Sequence, residues 1–187
     1  MKIGILQVDL TVGDFVGNSV KILRSYEKVV REGADLAVAP ELGLCGYPPR
    51  DLLNRADFLE AHDRALKGLA VKIGKVPLLI GGIEKFQGKD GRPLHNTAFL
   101  LQQKKIRAVA RKALLPTYDV FDEDRYFEPG GDFQPIRIGK AWVGVTICED
   151  IWNDEDVWPM RRYRRDPVRE LAKKGIDLLV KIGRAHV

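Results

Sequence analysis

Two cysteines and three histidines are all that the chain offers toward disulfide or metal chemistry. Cys45 and Cys148 are too few for a disulfide framework. His62, His95 and His186 are scattered and lack metal-site spacing. No apolar stretch is long enough to span a bilayer, which excludes a transmembrane helix. The opening "MKIGILQVDL" runs straight into a strand pattern and leaves no room for a signal peptide, so the reading is cytoplasmic, with no membrane partner. Low-complexity segments and internal repeats are missing. So are a P-loop and a Gly-rich dinucleotide fingerprint, and the sequence therefore offers no ATP or NAD site.

Charge of one sign is also modest. The net charge of +5 invites a nucleic-acid reading, but no zinc spacing, recognition-helix signature or interleaved aromatic platform supports it. The densest basic run, "RRYRRDPVRE" from Arg161 to Glu170, reads as a solvated approach to a helix. No nucleic-acid partner is expected.

What is present is one large α/β domain in 187 residues. "KIGILQV" is a short strand. Ile22, Leu23, Tyr26, Val29 and Val30 then fall at helical spacing, with Asn18 as cap and Gly33 as stop. "DLAVAP" is a buried strand that ends at Glu41. "RADFLEAHDRALKGLAVKIG" repeats the helical pattern through Phe58, Leu59, His62, Leu66, Leu69 and Ile73, with His62 half-buried. Three strands follow in "VPLLIGGI", "NTAFLLQ" and "IRAVARK". Residues 112–131 lack periodicity. "QPIRIGKAWVGVTIC" gives two strands around Gly139-Lys140, and "DPVRELAKKG" a helix capped by Asp166 and stopped by Gly175. "IDLLV" opens a last strand, so the sheet is largely buried and mixed.

Three strand ends carry reactive groups: Glu41 after "LAVAP", Lys112 after "IRAVAR" and Cys148 after "VGVTI". Residues just past strand ends gather in the ligand crevice of α/β sheets. Each has a structural alternative, as a loop carboxylate, a surface lysine or a buried small hydrophobe. Together they supply a base, a cation and a thiol, the parts of nucleophilic acyl transfer.

"PELGLCGYPPRDLL", "RKALLPTYDVFDEDRYFEPG" and "GVTICEDIW" resemble the three signature regions of the nitrilase, or carbon–nitrogen hydrolase, superfamily. More narrowly they are similar to the N-terminal glutaminase domain of the glutamine-dependent NAD synthetase family. The resemblance implies an α-β-β-α sandwich and hydrolysis of the glutamine amide through a cysteine thioester. Glu41 would be the general base, Lys112 the electrostatic stabiliser and Cys148 the nucleophile. Glu123 would orient Lys112 or the amide, while Tyr118, Phe121 and Glu149 would line the glutamine pocket. It implies no metal or cofactor here, with ATP and Mg needed only in a separate synthetase domain, and a homo-oligomer at full length. A stand-alone amidase or carbamoylase for another small amide is the alternative. Cys45 matches no nucleophile motif and reads as packing, as do Trp142, Trp152 and Trp158, unless these lie at an interface.

The resemblance runs to about Val180, where family members continue with further strands and substrate contacts. "KIGRAHV" departs from that pattern and matches a translated sequencing adapter. Residues 1–181 are therefore expected to be a partial hydrolase domain, incomplete at its C-terminus, and 182–187 a non-native tail. Such a fragment would expose core surface and hydrolyse glutamine feebly.

Overall fold

A computed structural model describes residues 1–184 except Glu155, Trp158, Pro159 and Arg161. The expectations for Trp158, His186 and the last half of the tail, residues 185–187, lie outside the described residues. A five-stranded sheet runs in chain order: β1 (Ile3–Ile5), β2 (Leu36–Val38), β3 (Leu78–Lys85), β4 (Leu94–Gln102) and β5 (Lys105–Arg111). The first three strands are parallel and the last two antiparallel. A second sheet holds β6 (Ile136–Ile138), β7 (Ala141–Ile147) and β8 (Leu178–Ile182). β7 pairs antiparallel with β6 and parallel with β8, and Ile182 sits opposite Ile147.

Period-two alternation decides what each face of the first sheet meets. Ala37, Leu78, Ile80, Phe99 and Leu101 point toward the helices α1 (Phe15–Arg31) and α2 (Ala56–Ala70). Leu36, Val38, Leu79, Ala98 and Leu100 point the other way, into Val143, Val145, Ile147 and Val180 of the second sheet. On that sheet's far side lies α3 (Pro167–Ala172), whose Leu171 approaches Gly144. The layers are α, β, β, α, as the family resemblance implied. Among the described residues no helix is long and apolar enough to cross a membrane.

Several local signals read as expected. Gly33 and Gly175 have φ of 82° and 73°, left-handed values that stop helices, and Asp166 accepts from the Arg169 amide. Two readings need correction. Asn18 does not cap α1. Asp14 does, accepting from Gly17, while Asn18 is fully buried and ties Thr11 to Leu44. A short polar side chain one turn into a helix can bind the loop before it, which spacing alone does not reveal. His62 is fully buried rather than half-buried, because its Nε2 accepts the Ile83 amide at 3.1 Å.

Gly81 of β3 is where the sheet touches the loop that carries Glu41. A Cβ there would lie 2.3 Å from the Leu42 nitrogen and 2.6 Å from the Glu41 Cα. Both are backbone atoms, which cannot swing aside. Gly81→Ala is therefore expected to lower stability by about 1–3 kcal/mol, the usual range for overpacking, and to displace Glu41. Thermal denaturation checks the first effect; a melting temperature equal to that of the parent would contradict it.

Candidate active site

The site forms just past three strand ends. Glu41 follows β2 in a tight turn where Leu42 has φ of 47° and Pro40 O accepts the Gly81 amide. Lys112 follows β5, its backbone held by Asn96 O at 2.9 Å and the Gly130 amide at 2.7 Å. Cys148 follows β7 and opens the short 3-10 turn Cys148–Ile151 at φ 45°. A left-handed φ is sterically costly for a non-glycine residue and recurs at functional sites. All three side chains were expected from the sequence, and the structure brings them together.

Lys112 is the centre of the cluster. Its Nζ donates to Glu41 Oε1 at 2.7 Å and to Glu123 at 2.8 Å, and all three groups are buried. Asn96 Nδ2 donates to Glu41 Oε1 at 2.8 Å and reaches Glu123 Oε2 at 3.4 Å. Tyr47 Oη donates to Glu123 at 2.8 Å. Glu41 Oε2 is left buried without a hydrogen-bond partner. Removing one member of such a buried set strands its partners, so Lys112→Met carries an expected stability loss of about 3–5 kcal/mol.

A second carboxylate stands beside the thiol. Glu149 is buried, and both its oxygens are held by phenols: Tyr118 Oη at 2.8 Å and Tyr163 Oη at 2.9 Å. It shares with Tyr118, Trp152, Met160 and Arg162 the wall of a cavity of about 400 Å³. Phe121 packs edge-on against Tyr118 at 5.7 Å and lines a neighbouring cavity of about 440 Å³ with Tyr47 and Glu123. Cys148 is in the wall of neither.

Sequence reasoning missed Asn96, Tyr47 and Tyr163. Asn96 sits inside an apolar strand run and Tyr47 in a turn, so only an unusual polar residue among β4 side chains could have flagged the first. The basic run is not simply solvated. Tyr163 reaches Glu149, Arg162 covers the Tyr118 ring at 4.1 Å, and Arg165 pairs with Glu170 at 2.6 Å. Cys45 is fully buried in apolar surroundings, its thiol pushed up to about 12 by burial. Trp142 and Trp152 are both exposed. Among the described residues no group of three or more His, Cys, Asp or Glu could hold a metal ion.

Residues 2–166 match the carbon–nitrogen hydrolase family profile. The chain belongs to the carbon–nitrogen hydrolase family. It is 38% identical over 184 residues to a glutamine-dependent NAD(+) synthetase of Synechocystis, covering 96% of this chain and 33% of that one. A Thermotoga maritima enzyme of the same name is 40% identical over 155 residues, covering 82% and 26%. The solved glutamine-dependent NAD+ synthetase of Acinetobacter baumannii superposes with a TM-score of 0.83 at 26% identity, covering 97% of this chain and 32% of that one. A Helicobacter pylori carbon–nitrogen hydrolase gives 0.73 at 25%, covering 98% and 59%. The chain spans about a third of the length of the curated relatives it matches.

Burial pushes Cys148 up to about 12, Glu41 and Glu123 add to the rise, and Lys112 opposes it. Burial alone would depress Lys112, but Glu41, Glu123 and Cys148 outweigh it and hold the ammonium well above the lysine range. Glu123 is raised by burial and by Glu41, against the pull of Lys112. The cluster thus sets a cation beside a protonated thiol and a carboxylate oxygen that has no hydrogen-bond partner.

The sign of one effect follows. Glu41 raises the Cys148 thiol, so Glu41→Gln removes that charge and moves the thiol pKa below about 12. The pH profile of Cys148 alkylation by iodoacetamide, read by mass spectrometry, should shift toward lower pH. An unmoved or upward-shifted profile would show that the two groups do not interact.

Proposed function

We propose that this hydrolase cleaves the side-chain amide of glutamine and that the ammonia serves a synthetase domain which amidates deamido-NAD. The observation that carries the reading is the buried Lys112, hydrogen-bonded to Glu41 and Glu123 at 2.7 and 2.8 Å beside a half-buried thiol. That the similar Synechocystis and Thermotoga maritima proteins are glutamine-dependent NAD(+) synthetases supports the choice of glutamine.

Glu41 Oε2 takes the thiol proton as Sγ attacks the amide carbon. Lys112, with the backbone N–H of Glu149, meets the oxyanion; losing one such donor typically costs about 3 kcal/mol. Collapse breaks the C–N bond, and Glu41 returns the proton to ammonia. A water then gives its proton to Glu41 and its oxygen to the thioester, releasing glutamate and the thiol. Glu123 holds Lys112 in line. Glu149 receives the α-ammonium of the substrate, with Tyr118 and Phe121 along its apolar stem. ATP and magnesium belong to the synthetase step and have no part in this one. We place the hydrolase in the cytoplasm and its full-length form in a homo-oligomer.

The test uses a protein of the relatives' full length. Cys148→Ala abolishes NAD formation from glutamine and leaves formation from added ammonia largely intact; equal loss of both would make Cys148 structural. Glu149→Gln raises KM for glutamine at least tenfold, about 1.4 kcal/mol of lost binding, with a smaller effect on kcat. An unchanged KM would remove Glu149 from the pocket.

A further inference from the structure

The carboxylate two residues beyond the nucleophile takes no part in the chemistry above, yet it is 1% exposed. Asp150 Oδ1 accepts the backbone amides of Ala113 and Leu114, both at 3.0 Å. Its Oδ2 accepts the amide of Ile147 at 2.9 Å. The first pair directly follows Lys112, and the third directly precedes Cys148. We infer that Asp150 is a positioning residue whose single carboxylate sets the register of Lys112 against Cys148.

The fold creates the need for one. Lys112 leaves the five-stranded sheet and Cys148 leaves the three-stranded sheet, so no shared ladder fixes their separation. The sheets face each other through Leu36, Leu79 and Leu100 against Val143, Val145 and Ile147. Burial of such side chains is strong but non-directional. Electrostatic help to a developing oxyanion depends steeply on placement, since a displacement of about 1 Å can cost about 100-fold in rate. Three directional bonds to an anion supply what apolar packing lacks. The Ile147 bond reaches back from the third residue of the turn to the residue before it, which braces Cys148 at its φ of 45°. An asparagine is nearly isosteric but has one acceptor oxygen. Its NH2 would face N–H donors on one side and release either Ile147 or the pair after Lys112.

This inference rests on the amidase reading, and the experiment separates the two. Cys148 of the full chain is acylated with p-nitrophenyl acetate and, separately, alkylated with iodoacetamide. Acylation forms the S–C bond, breaks the ester C–O bond, expels nitrophenolate, passes the thiol proton to Glu41, and goes through an oxyanion. Alkylation forms an S–CH2 bond, breaks the C–I bond, expels iodide, passes the thiol proton to the same Glu41 and makes no oxyanion. A Cys148→Ala sample subtracts reaction at Cys45.

Asp150→Asn is expected to slow acylation about 10- to 100-fold while alkylation changes less than about threefold. Asp150→Glu, which keeps the charge but moves the oxygens, should do the same in smaller degree. Equal slowing of both reactions in Asp150→Asn, or slowing of neither, would overturn the proposal. Loss of folding in both Asp150 variants would also overturn it, by making the residue a determinant of the fold. Wild-type Cys148 that is alkylated but never acylated would instead bring down the amidase reading and this inference with it.

Discussion

One ammonium holds the site together. Lys112 is 1% exposed and touches Glu41 and Glu123, so an ion that would be costly alone is kept charged by two carboxylates. Everything nearby follows from satisfying that arrangement. Asn96 shares its amide between the two acids, Tyr47 caps Glu123, and Gly81 lets the Glu41 turn close against β3. With Oε1 of Glu41 taken by Lys112 and Asn96, Oε2 is the oxygen left without a partner, the one to which the proposed mechanism gives the proton. The cation therefore decides which oxygen of Glu41 is left free.

The second half of the site comes from the other sheet. Cys148 stands at a strained strand end, and its neighbour Glu149 turns toward Tyr118 and Tyr163. In the proposed mechanism, successive residues of one short turn divide three tasks, with Cys148 for attack, Glu149 for substrate charge and Asp150 for register. A displacement of the sheets relative to each other would disturb all three, and the apolar interface between them is where such a displacement would begin.

Much of this was legible in the sequence because periodicity reports burial. The apolar runs "DLAVAP" and "NTAFLLQ" announced buried strands, Gly33 and Gly175 marked helix ends because glycine tolerates a left-handed φ, and Asp166 marked a helix start because its carboxylate can accept an amide of the first turn. Glu41, Lys112 and Cys148 stood out because each follows an apolar run. Asn96, Tyr47 and Tyr163 did not, because their significance depends on contacts 14 to 76 residues away in the chain and local pattern carries no trace of them. Asn18 shows the limit from the other side. Its type suits a cap, yet tertiary contacts to Thr11 and Leu44 claimed it, and Asp14 took the cap.

The proposed catalysis requires that glutamine acylate Cys148 covalently, assisted by Glu41 and Lys112. Rapid acid quenching of the full chain with glutamine, followed by peptide mass spectrometry, tests this most directly. The account predicts a glutamyl thioester on the peptide that contains Cys148, and none on the peptide that contains Cys45. Ammonia release without any thioester, or an adduct confined to Cys45, would contradict it.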